Sequence, residues 1–463
     1  MQIVVLAGLA ITLMMLEDGA PVETIGPGWW TAVAVPAYLA VAWAVGRAGA
    51  VVGLRRLRDR ADGPKRPSLA QRLLGLLTSV WLVGGSAGVV VCGYGHWIME
   101  DLELGCVPLL GRLLGVAPFV AALLAAWVAS YPLYRAARRR SEGNVAWDLG
   151  EYLGYNVRHH LLFILAPVSL VLLGTDALVL YVAPLLPESP AGEFALAAGM
   201  LATVGGVFLF APAVIVNVWK TARLPDGPLR RELEDVGRRF RLRWRDILVW
   251  RSGGAIANAG VMGLIGRIRY VLLSDGLLER MNDVEIRAIF AHEAAHIRAH
   301  HIFYSAVFVI SSVTLSTIAG LAVATAMGLP AWAEGGVALS LVILTIGVGF
   351  GWISRRFERQ CDVAAAWEMG RLLTGEQGDG PRLHPEGVAA FAGALQRVAD
   401  LNGIPAGQWN WRHGSILCRV GHVMWLGSTG RGRDRIDRLV RWIKVGIWSM
   451  LALTVAASLA RPA

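Results

Sequence analysis

Eight long apolar segments, separated by polar stretches, dominate the pattern of the chain. They are Trp30–Leu54, Leu73–Tyr94, Leu113–Pro132, Leu161–Val182, Phe194–Trp219, Phe303–Met327, Gly336–Ile353 and Val440–Leu459. Each approaches the roughly 20 residues that a helix needs to cross a bilayer. Met1–Leu16 is shorter and has no Lys or Arg in front of it, which weakens the interpretation as a signal peptide as well as that as a span; of the two we expect a ninth span. The pattern predicts a mainly α, polytopic integral membrane protein with about eight to nine transmembrane helices.

Composition supports a membrane location. Hydrophobic residues make up 55% of the 463 residues and charged residues only 17%, which is too apolar for an ordinary soluble domain of this length. The net charge of +10 indicates cytoplasmic loops rather than a nucleic-acid groove, so we expect the lipid bilayer and no nucleic acid as a partner. Four Cys without a C-x-x-C pair exclude a disulfide scaffold and a Cys-based zinc finger.

The charges of the loops predict the orientation. The loop after the Trp30 span and the loop before the Leu161 span are rich in Arg, whereas the alternate loops are acidic. Because short cytoplasmic loops collect Lys and Arg, the basic loops should face the cytoplasm. The long polar stretches 220–302 and 354–439 then fall on the cytoplasmic side as well. The Ala- and Arg-rich composition favours a bacterial source, and hence a bacterial inner membrane.

These boundaries divide the chain into five parts. We expect an N-terminal transmembrane bundle of about six spans (1–219), a first polar segment (220–302), a transmembrane hairpin (303–353), a second polar segment (354–439) and a C-terminal transmembrane helix (440–463). The polar segments contain predicted helices at Leu229–Leu242, from Val284 to about His301, and at Gly387–Leu401, and predicted strands at Asp246–Trp250 and Arg269–Leu273. They predict an α+β domain assembled from two segments of the chain.

The candidate chemistry lies in the motif His292-Glu293-Ala294-Ala295-His296. Histidines four apart lie one turn apart on the same helix face, so both imidazoles can bind one zinc ion, with Glu293 beside the open coordination position. A chance occurrence of the motif is the alternative. His300 and His301 follow on the same predicted helix, where we expect helix-end or interfacial roles.

A catalytic zinc ion needs a third protein ligand. Between His296 and Glu358 the only carboxylate is Glu334, which the predicted topology places across the bilayer. Glu358 is therefore the first available acid, and Asp362 follows it by one helical turn. One of the two can bind the metal while the other accepts a hydrogen bond from a ligand imidazole. A solvated helix face is the alternative for this pair.

These residues carry a resemblance to the membrane-embedded zinc endopeptidases that include the type I CAAX prenyl protease and HtpX. Three features match in order: the H-E-x-x-H pair, the E-x-x-x-D pair after two intervening spans, and the element His413-Gly414-Ser415-Ile416-Leu417-Cys418-Arg419. The resemblance covers about the last half of the chain. It implies a zincin-like metalloprotease domain and one Zn²⁺ per chain.

Carried over residue by residue, the resemblance implies roles for nine positions. It gives His292, His296 and Glu358 as zinc ligands, Glu293 as general base, Asp362 as the residue that orients a ligand histidine, His413 and Arg419 as oxyanion stabilisers, and Asn258 and Ala259 on an edge strand that pairs with an extended substrate. This sequence departs from the family pattern at Ala295, Cys361 and Gly414. We expect Gly414 to loosen the loop that places His413.

The sequence thus predicts a zinc-dependent endopeptidase that cleaves membrane or membrane-associated proteins at the cytoplasmic face, by zinc-activated water with Glu293 as base. A non-catalytic membrane scaffold that retains the zinc-site fold is the alternative. A transporter or channel is a third class, but the predicted spans hold almost no paired charges of the kind that mark ion pathways. The oligomeric state and the choice between CAAX-type and HtpX-type substrates are not predicted.

Overall fold

A computed structural model describes residues 2–17, 30–58, 69–140, 146–254, 256–375, 382–429 and 434–459. The chain forms two compact units, Met1–Lys220 and Thr221–Ala463. Within the described residues, eight helices are long and apolar enough to cross a membrane: Trp30–Arg58, Leu69–Tyr94, Leu110–Arg139, Leu149–Leu185, Pro190–Val218, His301–Ala326, Glu334–Thr374 and Asp434–Ser458. They coincide with the eight predicted apolar segments, so the prediction of a mainly α, polytopic membrane protein is confirmed.

The first unit contains helices and turns but no strand in its described residues. Its α-helices are α1 (Gln2–Glu17), α2 (Trp30–Arg58), α3 (Leu69–Val89), α4 (Leu110–Gly115), α5 (Ala117–Arg140), α6 (Leu149–Asn156), α7 (Phe163–Ala177) and α8 (Pro190–Val218). Helix α1, at 16 residues, occupies the predicted ninth segment. Small residues bring α2 and α5 together, because a Cβ at Gly46 would lie 3.2 Å from the Ala126 carbonyl oxygen. Such close backbone approach is typical of helix packing in membranes.

The second unit begins with a small α+β region and continues with long helices. In chain order its elements are β1 (Thr221–Arg223), α9 (Pro228–Arg239), β2 (Asp246–Trp250), β3 (Ala259–Met262), β4 (Tyr270–Ser274), α10 (Asp275–Arg280), α11 (Asp283–Arg298), α12 (His301–Ala326), α13 (Ala331–Leu344), α14 (Gly351–Thr374), α15 (Pro385–Leu401), α16 (Ile416–Thr429) and α17 (Asp434–Leu459). The sequence also predicts a loop between helices over Thr374–Pro385, of which residues 376–381 lie outside the described residues.

The four strands form one sheet in the order β1-β2-β4-β3. β2 and β4 are parallel, and β1 and β3 pair antiparallel at the two edges. Every residue of β4 is buried, as expected for a central strand covered on both faces. The predicted strands correspond to β2 and β4. The edge strand β1 was not predicted, because three residues are too few to show an alternating pattern. The edge strand β3 was expected only from the resemblance, which placed Asn258 and Ala259 on such a strand.

Helix α11 carries the H-E-x-x-H motif through the interior of the second unit. A capping box between Asn282 and Glu285 fixes its start. It ends at Arg298, three residues before the predicted end, because His300 adopts a left-handed conformation with φ 55°. The chain therefore turns before α12 begins. At the end of α11, the Ala299 carbonyl accepts a 2.6 Å hydrogen bond from Lys444 Nζ on α17.

Helices α13 and α14 are joined by a π-helical turn at Thr345–Phe350. Together they form a continuous helix over Glu334–Thr374 of 41 residues. At 1.5 Å per residue this helix is about 60 Å long, roughly twice the thickness of the hydrocarbon core. One half must extend beyond the bilayer. Glu358 and Asp362 lie on that half, and α14 packs there against α11 and α15 in a common core.

Candidate metal centre

Three predicted ligands meet between α11 and α14. The Nε2 atoms of His292 and His296 lie 3.3 Å apart. Glu358 places one carboxylate oxygen 3.5 Å from His292 Nε2 and the other 3.6 Å from His296 Nε2. Metal bonds of 2.0–2.1 Å in a tetrahedral arrangement require donor atoms about 3.4 Å apart. The donor set therefore has the spacing of a zinc site with one position left open.

The electrostatics of the site also fit a divalent cation. Burial lowers the pKa of His296 to about 4, so this imidazole is neutral at pH 7, which is the form that binds metal. For His292 burial acts in the same direction, but the carboxylates of Asp362 and Glu358 outweigh it and raise the pKa to about 9. A metal ion must displace that proton, so zinc affinity should fall with decreasing pH.

Glu293 lies beside the donor set and is half-buried. Burial is the largest cause that raises its pKa, to about 7, and the charge of His292 opposes the shift. No described residue forms a hydrogen bond or an ion pair with its carboxylate. Its oxygens can therefore take a proton from a water molecule, and a pKa close to the working pH suits a general base.

Asp362 and Arg419 form a bidentate pair behind the metal ligands. The Arg419 guanidinium donates to the two Asp362 carboxylate oxygens at 2.9 and 2.6 Å, and its Nη2 lies 3.2 Å from Glu358. Asp362 also lies 3.1 Å from Nδ1 of His292. Burial acts to lower the Arg419 pKa, but the charges of Asp362 and Glu358 raise it above its usual value. Asp362 thus stands where it can orient a ligand histidine, and Arg419 neutralises both carboxylates.

His413 approaches the site from a tight loop. Its Nδ1 lies 2.8 Å from Glu358, and its side chain is 44% exposed. Two backbone hydrogen bonds between Asn410 and Gly414, of 2.8 and 3.2 Å, close the loop. The Asn410 side chain accepts a further bond from the His413 amide. Gly414 has φ 77°, which proline cannot adopt. The glycine thus permits a closed turn, where the sequence predicted a loosened loop.

The two predicted substrate-binding residues lie at the start of the edge strand β3. Ala259 is its first residue, and Asn258 precedes it. The Asn258 backbone pairs with Ser274, its amide donating to the hydroxyl and its carbonyl accepting from the amide, both at 2.9 Å. Its side chain accepts from the Ala259 amide at 3.0 Å. The structure shows the predicted edge position; the pairing with a substrate stays a prediction.

His301 belongs to this site although the sequence indicated only a helix-end or interfacial role. It is 2% exposed, and its Nδ1 lies 3.1 Å from Nδ1 of His296. Its Nε2 lies 2.9 Å from the Gln360 side-chain oxygen, and its ring stacks on Phe357. The left-handed His300 folds the chain so that His301 contacts the far side of a ligand imidazole. The sequence signal that could have indicated this role is the second histidine pair, His300-His301, immediately after the H-E-x-x-H motif.

We expect His301→Leu to weaken zinc binding about 10- to 100-fold, because the nitrogen of His296 that faces away from the metal would lose its partner. His301→Asn should retain most of the affinity, since an amide can occupy the position of Nδ1. Competition with a chelator of known affinity measures the effect. The exposed neighbour His300 provides the matched control as His300→Asn, which tolerates the left-handed conformation. Equal losses in the His300 and His301 variants would contradict this role.

Comparison with known proteins identifies a matching family profile and similar solved structures. Residues 224–376 match the profile of Peptidase family M48, and this stretch contains the three predicted ligands together with Glu293 and Asp362. The crystal structure of S. mikatae Ste24p is similar with a TM-score of 0.46 and 14% sequence identity, covering 85% of this chain and 98% of that chain. No curated protein matches significantly. The family match confirms the predicted resemblance and the metalloprotease class; it does not distinguish CAAX-type from HtpX-type members.

Proposed function

We propose that this chain, a membrane protein with a metallopeptidase domain of family M48, is an endopeptidase that uses one zinc ion to cleave membrane or membrane-associated proteins at the cytoplasmic face. The observation that carries the proposal is the set of donor atoms on His292, His296 and Glu358, spaced at 3.3 to 3.6 Å. This spacing is that of a tetrahedral zinc site.

Zinc, when bound by these ligands, would supply a Lewis acid that acidifies water and polarises a peptide carbonyl. Glu293 accepts the proton of the attacking water and later delivers it to the leaving amine. Asp362 holds the ring of His292 from the far side. His413, half exposed beside Glu358, is the group best placed to meet the negative charge that develops on the carbonyl oxygen. Arg419 contributes its charge through Glu358 and Asp362.

The edge strand β3 offers a means of holding the substrate. An extended peptide can add to a free sheet edge through main-chain hydrogen bonds. Such a peptide would run beside α11, because β3 and α11 belong to the same core. We assign Asn258 and Ala259 to the start of this pairing. The peptide bonds of a substrate bound in this extended conformation would be accessible to the attacking water and to Glu293.

The long helix over Glu334–Thr374 supports a site close to the bilayer. Glu358 lies 24 residues after Glu334, which is about 36 Å along a helix, slightly more than the thickness of the hydrocarbon core. The metal ligands therefore lie close to the membrane surface rather than far out in the solvent. The basic loops of the chain favour the cytoplasmic side. Membrane-associated proteins are the substrates that reach such a position.

Zinc content tests the proposal without knowledge of the substrate. We expect about one zinc ion per chain in purified, detergent-solubilised protein, and loss of zinc in His296→Ala, Glu358→Ala and the isosteric Glu358→Gln. The exposed His96, in the first unit, gives the matched control His96→Ala, which should retain zinc. Unchanged zinc in the Glu358 variants would require another third ligand. No zinc in folded wild-type protein would favour the non-catalytic scaffold.

A further inference from the structure

A cleft of about 1100 Å³ opens on the second unit, away from the metal ligands. Its walls come from the end of α9, the segment Phe240–Trp244, the segment Ile265–Arg269 and the end of α11. Arg298, in the α11 wall, follows His296 by two residues and so lies about 200° around the helix from it. The cleft is therefore a second concave site on the opposite side of the helix that carries the zinc ligands.

The cleft is strongly basic. Six arginines line it against one carboxylate, Glu234: Arg238, Arg241, Arg243, Arg267, Arg269 and Arg298. Glu234 is itself paired with Arg230 at 2.9 Å. The arginines at positions 241, 243, 267 and 298 are exposed, and no carboxylate within the described part of the chain lies within 4.0 Å of them. A concave surface lined by positive charges has a strong positive electrostatic potential, which attracts anions.

The walls are held in place by the half-buried Arg269. Its guanidinium donates to the carbonyl oxygens of Gly263 at 3.1 Å and Arg243 at 3.0 Å, and also to that of Leu264. Gly266 allows close approach, since a Cβ there would lie 2.8 Å from Arg243 Cβ. The Arg269 guanidinium thus connects the wall at Ile265–Arg269 with the wall at Phe240–Trp244. The backbone that carries the exposed arginines is therefore held in place before a ligand binds.

The floor of the cleft is apolar. Phe240, Leu242, Trp244, Ile265 and Ile297 contribute to it. The Trp244 ring lies directly against α9 at Gly237, where a Cβ would come within 1.9 Å of the ring. Free phosphate or another small anion would make no favourable contact with these apolar side chains. A ligand with a charged group and a hydrocarbon chain matches both the arginines and the apolar side chains.

The position of the cleft indicates the source of that ligand. Arg298 and His300 line it, and His301 begins α12, one of the helices able to cross the membrane. If α12 crosses the bilayer from His301 onwards, the Arg298 side of the cleft lies near the level where lipid headgroups meet water. We propose that this arginine cleft binds the phosphate of an anionic phospholipid, with part of an acyl chain on the Trp244 floor. The lipid anchors the protease domain against the bilayer surface.

Binding of single lipids to the solubilised full-length protein tests the proposal by native mass spectrometry. We expect phosphatidylglycerol to bind at least about tenfold more tightly than phosphatidylcholine, because the excess of arginines favours net negative charge. The double variant Arg241→Gln/Arg243→Gln should lose this preference. A second pair, Arg267→Gln/Arg298→Gln, should lose it too. The zinc content of each variant reports whether the domain is folded.

Arg435 and Arg438 provide the matched control. Both are exposed at the start of α17, another membrane-crossing helix, and neither lines the cleft. Arg435→Gln/Arg438→Gln removes the same charge and should keep the lipid preference. An equal loss in this control, or retained preference in both cleft variants, would overturn the proposal. Displacement of the lipid by inorganic phosphate at similar concentration would also overturn it, because the site would then bind free phosphate.

Discussion

Glu293→Gln should retain about one zinc ion per chain and lose peptidase activity by about 1000-fold. The amide occupies the volume of the carboxylate but cannot accept the proton of water, and general base catalysis typically contributes 10²- to 10⁴-fold. Zinc binding should persist because Glu293 is outside the donor set of His292, His296 and Glu358. Zinc analysis and kcat/KM on a fluorogenic peptide library measure the two effects on the same preparation.

The pH profile gives an independent check on Glu293. Burial raises its pKa to about 7 without a metal, and the charge of bound zinc should lower it. Activity of the wild type should therefore rise with pH through a limb below pH 7, because only the ionised carboxylate accepts a proton. The exposed Glu279 serves as control, and Glu279→Gln should leave rate and profile unchanged. Activity of Glu293→Gln within tenfold of the wild type would remove Glu293 from the role of base.

The features that local patterns encode were predictable from the sequence. The lengths of the apolar segments located the eight spans, because the thickness of the bilayer sets the length of a helix that crosses it. A short apolar run with β-branched residues located β2. The sequence offered Asn282 or Asp283 as the cap of the motif helix, and Asn282 is the one that caps α11. His292 and His296 share a face through helical periodicity alone. The third ligand needed the predicted topology as well, which left Glu358 and Asp362 as the candidates.

Features that depend on contacts distant in sequence were not predictable. Arg419 and Asp362 are 57 residues apart, and their bidentate pairing follows from the packing of α16 on α14. His301 contacts His296 because one residue, His300, adopts a left-handed conformation that no propensity requires. The arginine cleft joins three separated segments in the same way. In each case the sequence identifies the candidate residues, but only the tertiary packing determines which of their atoms come into contact.

Arg419→Met should destabilise the zinc-free protein by about 3–5 kcal/mol, the usual cost of leaving a buried charge without its partner. Asp362 is fully buried and Glu358 is 5% exposed, so both carboxylates would lose the cation that contacts them. Bound zinc compensates Glu358, and the loss should be smaller in the zinc-loaded protein. Thermal unfolding in detergent, with zinc and with a chelator, measures the difference.

Two further variants separate charge from geometry at this pair. Arg419→Lys keeps the charge but cannot form the bidentate contact, so its stability should be intermediate. Adding Asp362→Asn to Arg419→Met removes one of the stranded charges, and the double variant should lose less stability than the sum of the single losses. The exposed Arg251 gives the control Arg251→Met, with no expected change. If Arg419→Met unfolds at the wild-type temperature yet loses activity, Arg419 acts on the developing oxyanion rather than by holding Asp362 and Glu358, because only a role in the reaction would spare the stability of the fold.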